Sequence, residues 1–308
     1  MWVYVARRLV WLPFLLLGVS LVTFSLGHYG PGDPVQILMG QYQNPEAVQR
    51  IRQERGLDRP FVVQYVTFIT KALRGDLGES FQYRGQPVGS LISKRIWVSM
   101  QLGAAASVIA LSLGVLLGFF AALKQGSWLD TATVSLTLFF YSLPVFITAP
   151  FLLLVFVIWL SILPSHGWQG FFHLSIVMPA LVLGTPGIAG IARLTRASTL
   201  DVLHQDHVRT ARAKGLRELT VRSRHILRNA LIPVFTVAGL SLGTLVEGAF
   251  ITETIFGIPG VGRLAIEAFF SRDYPIIMAL TLILAIAFVI ANLIVDIGYR
   301  FLDPRIRY

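Results

Sequence analysis

The sequence predicts an all-helical integral membrane protein that crosses the bilayer several times. Of its 308 residues, 55% are hydrophobic and only 14% are charged, which is too little charge to cover a soluble chain of this length. Apolar stretches of about 20 residues, the length of a spanning helix, recur along the chain. Cysteine is absent, which excludes disulfides, thiolate metal sites and cysteine nucleophiles.

Six stretches are long and apolar enough to cross a bilayer, and helices are expected because backbone polar groups in lipid must be satisfied within the segment. The first follows Arg7 and Arg8. We interpret it as a retained signal anchor, because its apolar run is longer than a signal-peptide core and no A-x-A cleavage site follows. The six spans are Leu9–Gly27, Met100–Leu123, Leu136–Leu160, Leu174–Ala192, Leu231–Thr252 and Ile276–Val295.

The distribution of Lys and Arg predicts that both termini are cytoplasmic. With this orientation the loop 193–228 is inside and carries nine Lys and Arg, whereas the outer loop 161–173 carries none. Basic residues favour cytoplasmic loops. The loop 28–99 carries nine more, but it is long, and long loops do not follow this rule.

The domain organisation follows from these spans. We assign residues 1–27 to an N-terminal segment with the first span, 28–99 to a helical extracytoplasmic loop, and 100–308 to a five-helix core with a cytoplasmic loop at 193–230. In the outer loop, Asn44-Pro45-Glu46 begins one helix and Pro60 precedes another. The second helix is amphipathic. We favour packing within the subunit's own outer cap over contact with the membrane surface or a partner.

The loop 193–228 concentrates positive charge, with nine Lys and Arg against three acids. Asp206 is expected to cap a short helix that runs to Lys214, with Gly215 in a left-handed turn and a second helix from about Glu218. On the short helix Val208, Ala211 and Gly215 form a stripe of small side chains. Such a stripe allows another backbone or the wall of a groove to approach closely.

Three interpretations of this loop compete. Nucleic-acid binding would call for aromatic side chains that stack on bases, and the loop contains no Phe, Tyr or Trp. Contact of a cytoplasmic loop with anionic membrane lipid explains part of the charge, but not the two helices around one glycine. A docking element for a cytosolic protein explains both.

Several short motifs resemble those of one transport family. The segment Ala211–Gly215 with its exit at Asn229–Pro233 resembles the "EAA" loop of ABC-importer permeases, in the first-subunit (B-type) branch of the dipeptide/oligopeptide family. The resemblance spans nearly the whole chain, in matching order: "PGDPV" (31–35), "GDLGES" (75–80) with "PV" (87–88), "LPSHG" (163–167), "ETIFGIPGVGRL" (253–264), "RDYPII" (272–277) and "DPRIR" (303–307). Two features depart from the general pattern. Its Glu-Ala-Ala reads Arg209-Thr210-Ala211 here, so the contact made by that Glu does not carry over, and the proline follows the glycine at a longer spacing than in the sugar permeases.

The resemblance implies a type I ABC-importer permease fold and a subunit that imports di- or oligopeptides or a related small solute. It implies a second (C-type) permease, two cytosolic ATPases that bind ATP and Mg, and an extracytoplasmic substrate-binding protein. The loop around Gly215 would be the coupling helix that contacts an ATPase. The candidate coupling residues are Val208, Arg209, Ala211, Arg212, Lys214, Gly215 and Leu216.

The chain is not expected to be an enzyme or to bind a cofactor itself. No G-x-x-x-x-G-K-[ST] phosphate-binding loop occurs, and His204 with His207 lacks the further ligands of a metal site. Candidate polar residues for the pathway or for structure are Glu247 in the fifth span, Glu253 in the outer loop and Asn292 in the last span. The alternative function is a secondary transporter or a solute channel, which would usually bury ionisable residues on several spans.

Overall fold

The computed structural model describes residues 2–30, 35, 44–54, 56–83, 85–241 and 249–302, and these residues are helical apart from connecting loops. The helices before the basic loop are α1 Trp2–Tyr29, α2 Pro45–Glu54, α3 Phe61–Leu73, α4 Val88–Leu123, α5 Trp128–Ser142, α6 Val145–Leu153 with a π-helical extension Leu154–Trp159, and α7 Val177–Leu203 after a 3₁₀ turn Leu174–Ile176. After it come α8 Asp206–Ala213, α9 Glu218–Thr220, a π-helix Val221–Leu227, α10 Arg228–Ser241, α11 Phe250–Ile255, α12 Val261–Ser271 and α13 Tyr274–Leu302.

The predicted number of six spans is not confirmed. Within the described residues, four helices are long and apolar enough to cross a membrane, and α5 with α6 makes a fifth if this bent pair is one span. The four are Val10–Tyr29, Val88–Leu123, Leu174–Leu203 and Tyr274–Leu293. Of the predicted fifth span, α10 covers the first part, and residues 242–248 lie outside the described part of the chain.

The predicted span Leu136–Leu160 is wrong as a single helix. α5 ends at Ser142, α6 begins at Val145, and the two axes are bent by 111°. Leu143 lies between them with an extended backbone (φ −83°, ψ 124°). Pro144 explains the break, because proline lacks an N–H and disfavours the helical conformation of the residue before it.

Two parallel helices, α4 and α7, form the centre of the bundle through close backbone contacts. A Cβ atom placed on Gly118 of α4 would lie 2.2 Å from the carbonyl oxygen of Ala192, and one on Gly184 of α7 would lie 2.9 Å from the carbonyl oxygen of Ala106. Small residues at such crossings let helix backbones approach each other in membranes. The two helices are therefore locked together over most of their common length.

Two segments of the predicted outer loop are helical, Pro45–Glu54 as α2 and Phe61–Leu73 as α3. Asn44 Oδ1 accepts the N–H of Glu46 at the start of α2, and Gly75 after α3 has φ +83°. One face of α3 packs against the chain's own α1, because the rings of Phe61, Tyr65 and Phe68 surround Phe24. α3 therefore packs within its own subunit, but against the first span rather than within the predicted outer cap.

Candidate functional site

The basic loop forms a short helix followed by a left-handed glycine turn. α8 covers Asp206–Ala213, and Gly215 has φ +73°. The Gly215 N–H donates to the carbonyl of Arg212 at 2.9 Å. Glycine is needed for this backbone conformation rather than for space, because nothing lies within 4 Å of a Cβ placed there. The predicted cap is wrong by one residue: Gln205 occupies the N-cap position, and Asp206 is the first helical residue, where its charge still favours the helix dipole.

The small-residue stripe of α8 faces the chain's own core. Val208 is fully buried and Ala211 is 4% exposed, so the interpretation of these two side chains as an outward contact surface is wrong. An eight-residue helix has few apolar positions, and these two are the ones that can anchor it. The cluster that receives them consists of Phe119, Val202, Val221, Ile226 and Ala230.

The solvent side of α8 and the turn after it is basic with two apolar side chains. The side chains of Arg209 and Arg212 are 73% and 45% exposed, and Lys214 is also exposed. Leu216 is 41% exposed, and Leu219, which sequence reasoning missed, is 78% exposed. The signal was available, because these two are the only large apolar residues from 209 to 220. Arg209, Arg212, Lys214, Leu216 and Leu219 are called the docking surface below.

Glu218 links the two sides of the turn at Gly215. It forms ion pairs with Arg212 at 3.1 Å and with Arg222 at 3.2 Å, which lie before and after the turn. The hydrogen bond from Arg212 lowers the pKa of Glu218, burial opposes this, and Arg222 adds to the lowering. The carboxylate therefore stays charged at neutral pH and joins α8 to the helix that follows.

His207 connects α8 to the start of α10. Its Nε2 lies 3.2 Å from the carbonyl of His225 and 3.1 Å from Nδ2 of Asn229, and Asn229 also donates to His225 O. His207 thus has structural partners, and the described residues contain no group of three or more His, Cys, Asp or Glu that could hold a metal ion.

An ion pair joins α5 to α7. Arg196 donates to Asp130 through Nε at 2.6 Å and Nη2 at 2.8 Å, and the N–H of Gly126 donates to the same carboxylate. Asp130 is 5% exposed. Sequence reasoning missed this pair, although Asp130 is the only acid between Glu79 and Asp201.

Glu253 forms a buried hydrogen-bond network that holds the 253–264 loop. It is fully buried and accepts hydrogen bonds from Ser99 Oγ at 2.6 Å and from the N–H of Arg263 at 2.9 Å. A Cβ on Gly260 would lie 2.4 Å from its carboxylate oxygen, so the glycines of this motif make room for the acid. Of the two roles considered for Glu253, the contacts are those of a structural residue.

The other two candidate polar residues are not brought to this site. Asn292 on α13 donates to the carbonyl of Phe288 within its own helix at 2.9 Å. Glu247 lies outside the described residues, so its assignment to the pathway or to structure stays a prediction.

Comparison with protein families finds matches along most of the chain. The family described as "Binding-protein-dependent transport system inner membrane component" matches residues 114–308. The model for the N-terminal part of such membrane components matches residues 1–102.

Curated relatives match over their full length. The chain is 38% identical to a probable peptide ABC transporter permease protein of Sinorhizobium fredii, with 100% of both chains covered. It is 37% identical to the dipeptide transport system permease protein DppB of Escherichia coli K12, covering 99% of this chain and 98% of that protein.

A solved structure shares the fold. The inward-facing MetNI methionine ABC transporter aligns with a TM-score of 0.54 and 19% identity, over 70% of this chain and 97% of that chain. The predicted class, an all-helical permease fold of the ABC importers, is therefore confirmed, apart from the number of spans.

Proposed function

Because the chain belongs to the family of binding-protein-dependent transport system inner membrane components, we propose that it is the permease subunit of an ATP-driven importer of di- or oligopeptides. Relatives named as peptide and dipeptide permeases, similar from end to end, support this substrate class. The chain would sit in the inner membrane with both termini in the cytoplasm, as the Lys and Arg distribution favours.

We infer the partners from the family to which the chain belongs. This chain's sequence has no phosphate-binding loop of the P-loop type, and two cytosolic ATPase subunits would bind ATP and Mg. A second permease would complete the pathway, and an extracytoplasmic binding protein would deliver the peptide. No cofactor is assigned to this chain.

The observation that carries the proposal is the docking surface on a helix fixed firmly to the bundle. Arg209, Arg212 and Lys214 would steer α8 towards an acidic groove of an ATPase. Leu216 and Leu219 would be buried there, and full burial of a leucine contributes about 1.5–3 kcal/mol. The coupling role thus moves from the small-residue stripe to the solvent side of α8 and the turn after it.

The packing behind α8 provides the route for force. Val208 and Ala211 lie in one buried cluster with Phe119 of α4 and Val202 of α7, and those two helices are locked by their glycine contacts. Because packed helices move as units, a displacement of α8 by the ATPases would move α4 and α7 together. The pair Asp130–Arg196 would carry α5 along.

Copurification tests the docking assignment. The tagged chain is expressed with its cognate ATPases as wild type, as Leu219→Asp and as Leu73→Asp. Leu73 is 83% exposed on the predicted outer side, so it is a matched control for an introduced charge. We expect Leu219→Asp to lower recovered ATPase at least about tenfold, the equivalent of about 1.4 kcal/mol, and the control to retain it. Equal recovery from all three would reject the docking surface.

A further inference from the structure

Arg193 on α7 is a cation with an aromatic partner and a free charge. Its guanidinium carbon lies 5.5 Å from the ring centroid of Tyr141 on α5. The neighbouring Arg196 is occupied by Asp130. Within the described residues Arg193 forms no ion pair or hydrogen bond. An arginine left unpaired beside the apolar part of a spanning helix requires an explanation.

The depth of Arg193 places it at the inner end of the hydrocarbon layer. It follows 19 uncharged residues from Leu174 to Ala192. At 1.5 Å per residue this distance is about 28 Å, close to the hydrocarbon thickness of about 30 Å. Arg193 would therefore lie where a central pathway opens towards the cytoplasm.

The exposed face of α7 is unsuited to lipid. Its exposed residues share one side of the helix and include no large apolar side chain. Elsewhere on this chain, exposed positions of the apolar helices hold Phe139, Phe146 and Phe151, as contact with acyl chains favours. The exposed residues of α7 are Pro186, Gly187, Arg193, Ala197 and Asp201.

We propose that Arg193, with its guanidinium positioned by Tyr141, binds the carboxylate of the transported peptide on its way to the cytoplasm. Arginine binds carboxylates through two parallel hydrogen bonds, and an aromatic ring beneath the guanidinium restrains its plane while leaving its edge free. Tyr141 is 52% exposed. It lies at the end of α5, next to the turn at Pro144, after which α6 runs in a different direction. The inference rests on the proposed function, because only a peptide pathway would bring this ligand here.

The absence of cysteine allows a direct test in the assembled complex. Ala197→Cys places one thiol on the next turn of the same face, about 5–6 Å from residue 193 between Cβ atoms. This chain is labelled with one of two methanethiosulfonates, the anionic sulfonatoethyl or the cationic trimethylammonioethyl reagent. The labelling rate is determined from the change in the mass of the chain. The same rates are measured with Arg193→Gln added, and with Arg224→Gln as a control that removes an equal charge elsewhere in the basic loop.

We expect the anionic reagent to be preferred with Arg193 present, and Arg193→Gln to lower the anion-to-cation ratio about tenfold, with no change in the control. A tripeptide with a free carboxylate should slow anionic labelling more than its C-terminal amide does. An unchanged ratio in Arg193→Gln, or equal protection by acid and amide, would overturn the proposal.

Two alternatives are a lipid headgroup bound to Arg193 and a second permease covering this face of α7. Each gives a different labelling result, and each would overturn the proposal. If an anionic lipid headgroup holds Arg193, the anion preference appears in phosphatidylcholine nanodiscs and disappears in phosphatidylglycerol. If the second permease covers this face, the thiol introduced by Ala197→Cys is labelled in the isolated chain but not in the complex. ATP-dependent import by the wild-type complex tests the proposed function separately, so a failure of this inference is distinguishable from a failure of the proposed function.

Discussion

Asp130 and Arg196, 66 residues apart in the sequence, form an ion pair with two hydrogen bonds of 2.6 and 2.8 Å. The carboxylate is almost completely buried, while the Arg196 side chain is 29% exposed. The pair joins the beginning of α5 to α7, one turn beyond Arg193. It is thus the polar link between the central helix and its neighbour.

Breaking this pair should destabilise the protein more than replacing it. Removal of one partner from a buried pair costs about 3–5 kcal/mol; because Arg196 is partly exposed, we expect about 2 kcal/mol for Asp130→Leu. The double variant Asp130→Leu/Arg196→Met should recover part of this loss. Thermal unfolding followed by size-exclusion chromatography in detergent measures both. A double variant as unstable as the sum of the two single variants would show that the residues act independently.

The 253–264 loop should not tolerate a methyl group at Gly260. A Cβ there meets the Glu253 carboxylate at 2.4 Å and Ser99 Oγ at 2.5 Å, so Gly260→Ala must displace a buried network. We expect a loss of about 1–3 kcal/mol, measured as a lower unfolding midpoint. Gly89→Ala is the matched control, because nothing lies within 4 Å of its added Cβ. If both variants unfolded at the wild-type temperature, the Glu253 network would not constrain this loop.

The sequence was most informative where a local rule decides the backbone. Gly215 with its flanking helices was predicted from cap and turn chemistry, and the family from motifs in order. Pro144 carried the signal for the broken span, but hydropathy over a 25-residue window hides one proline. The inward orientation of Val208 and Ala211 and the pair Asp130–Arg196 depend on which helices become neighbours. That is a tertiary property, and no local pattern reports it.

The stability of the outer cap should depend on pH through Glu267. Burial raises the pKa of Glu267, but hydrogen bonds from Tyr83 and Arg263 outweigh it and hold the pKa below its ordinary value. A lowered pKa stabilises the folded state above the unfolded-state pKa, and this contribution is lost as pH falls through the folded-state value. Wild type should therefore lose stability on acidification below about pH 4.3 more steeply than Glu267→Gln, with Tyr83→Phe between them. Parallel pH profiles of the unfolding midpoint would contradict this.

The turn at Gly215 should be more important for coupling than for folding. Gly215→Val places a β-branched residue at φ +73°, and Gly75→Val does so at φ +83° on the outer side. Neither added Cβ meets a neighbour within 4 Å, so both should cost a similar 1–3 kcal/mol, roughly, in backbone strain. Only Gly215→Val should lower ATP hydrolysis stimulated by the loaded binding protein. Equal effects on hydrolysis would assign the loss to instability alone.

Thiol labelling tests the orientation of the chain. A cysteine at Ser223 in the basic loop should resist an impermeant reagent applied to intact cells and react after permeabilisation, because the Lys and Arg distribution places this loop inside. A cysteine at Glu46 in the outer loop should react without permeabilisation. Rapid labelling of the cysteine at position 223 from outside would show that the basic loop is extracytoplasmic and would contradict the predicted topology.

Uptake into proteoliposomes tests the central claim most directly. The complex of this chain with its second permease, its ATPases and the binding protein is reconstituted, and a panel of radiolabelled dipeptides is added outside. We predict uptake that requires both the binding protein and internal ATP, and that is lost with Leu219→Asp but retained with Leu73→Asp. Uptake driven by an ion gradient without ATP would contradict the account and identify a secondary transporter instead.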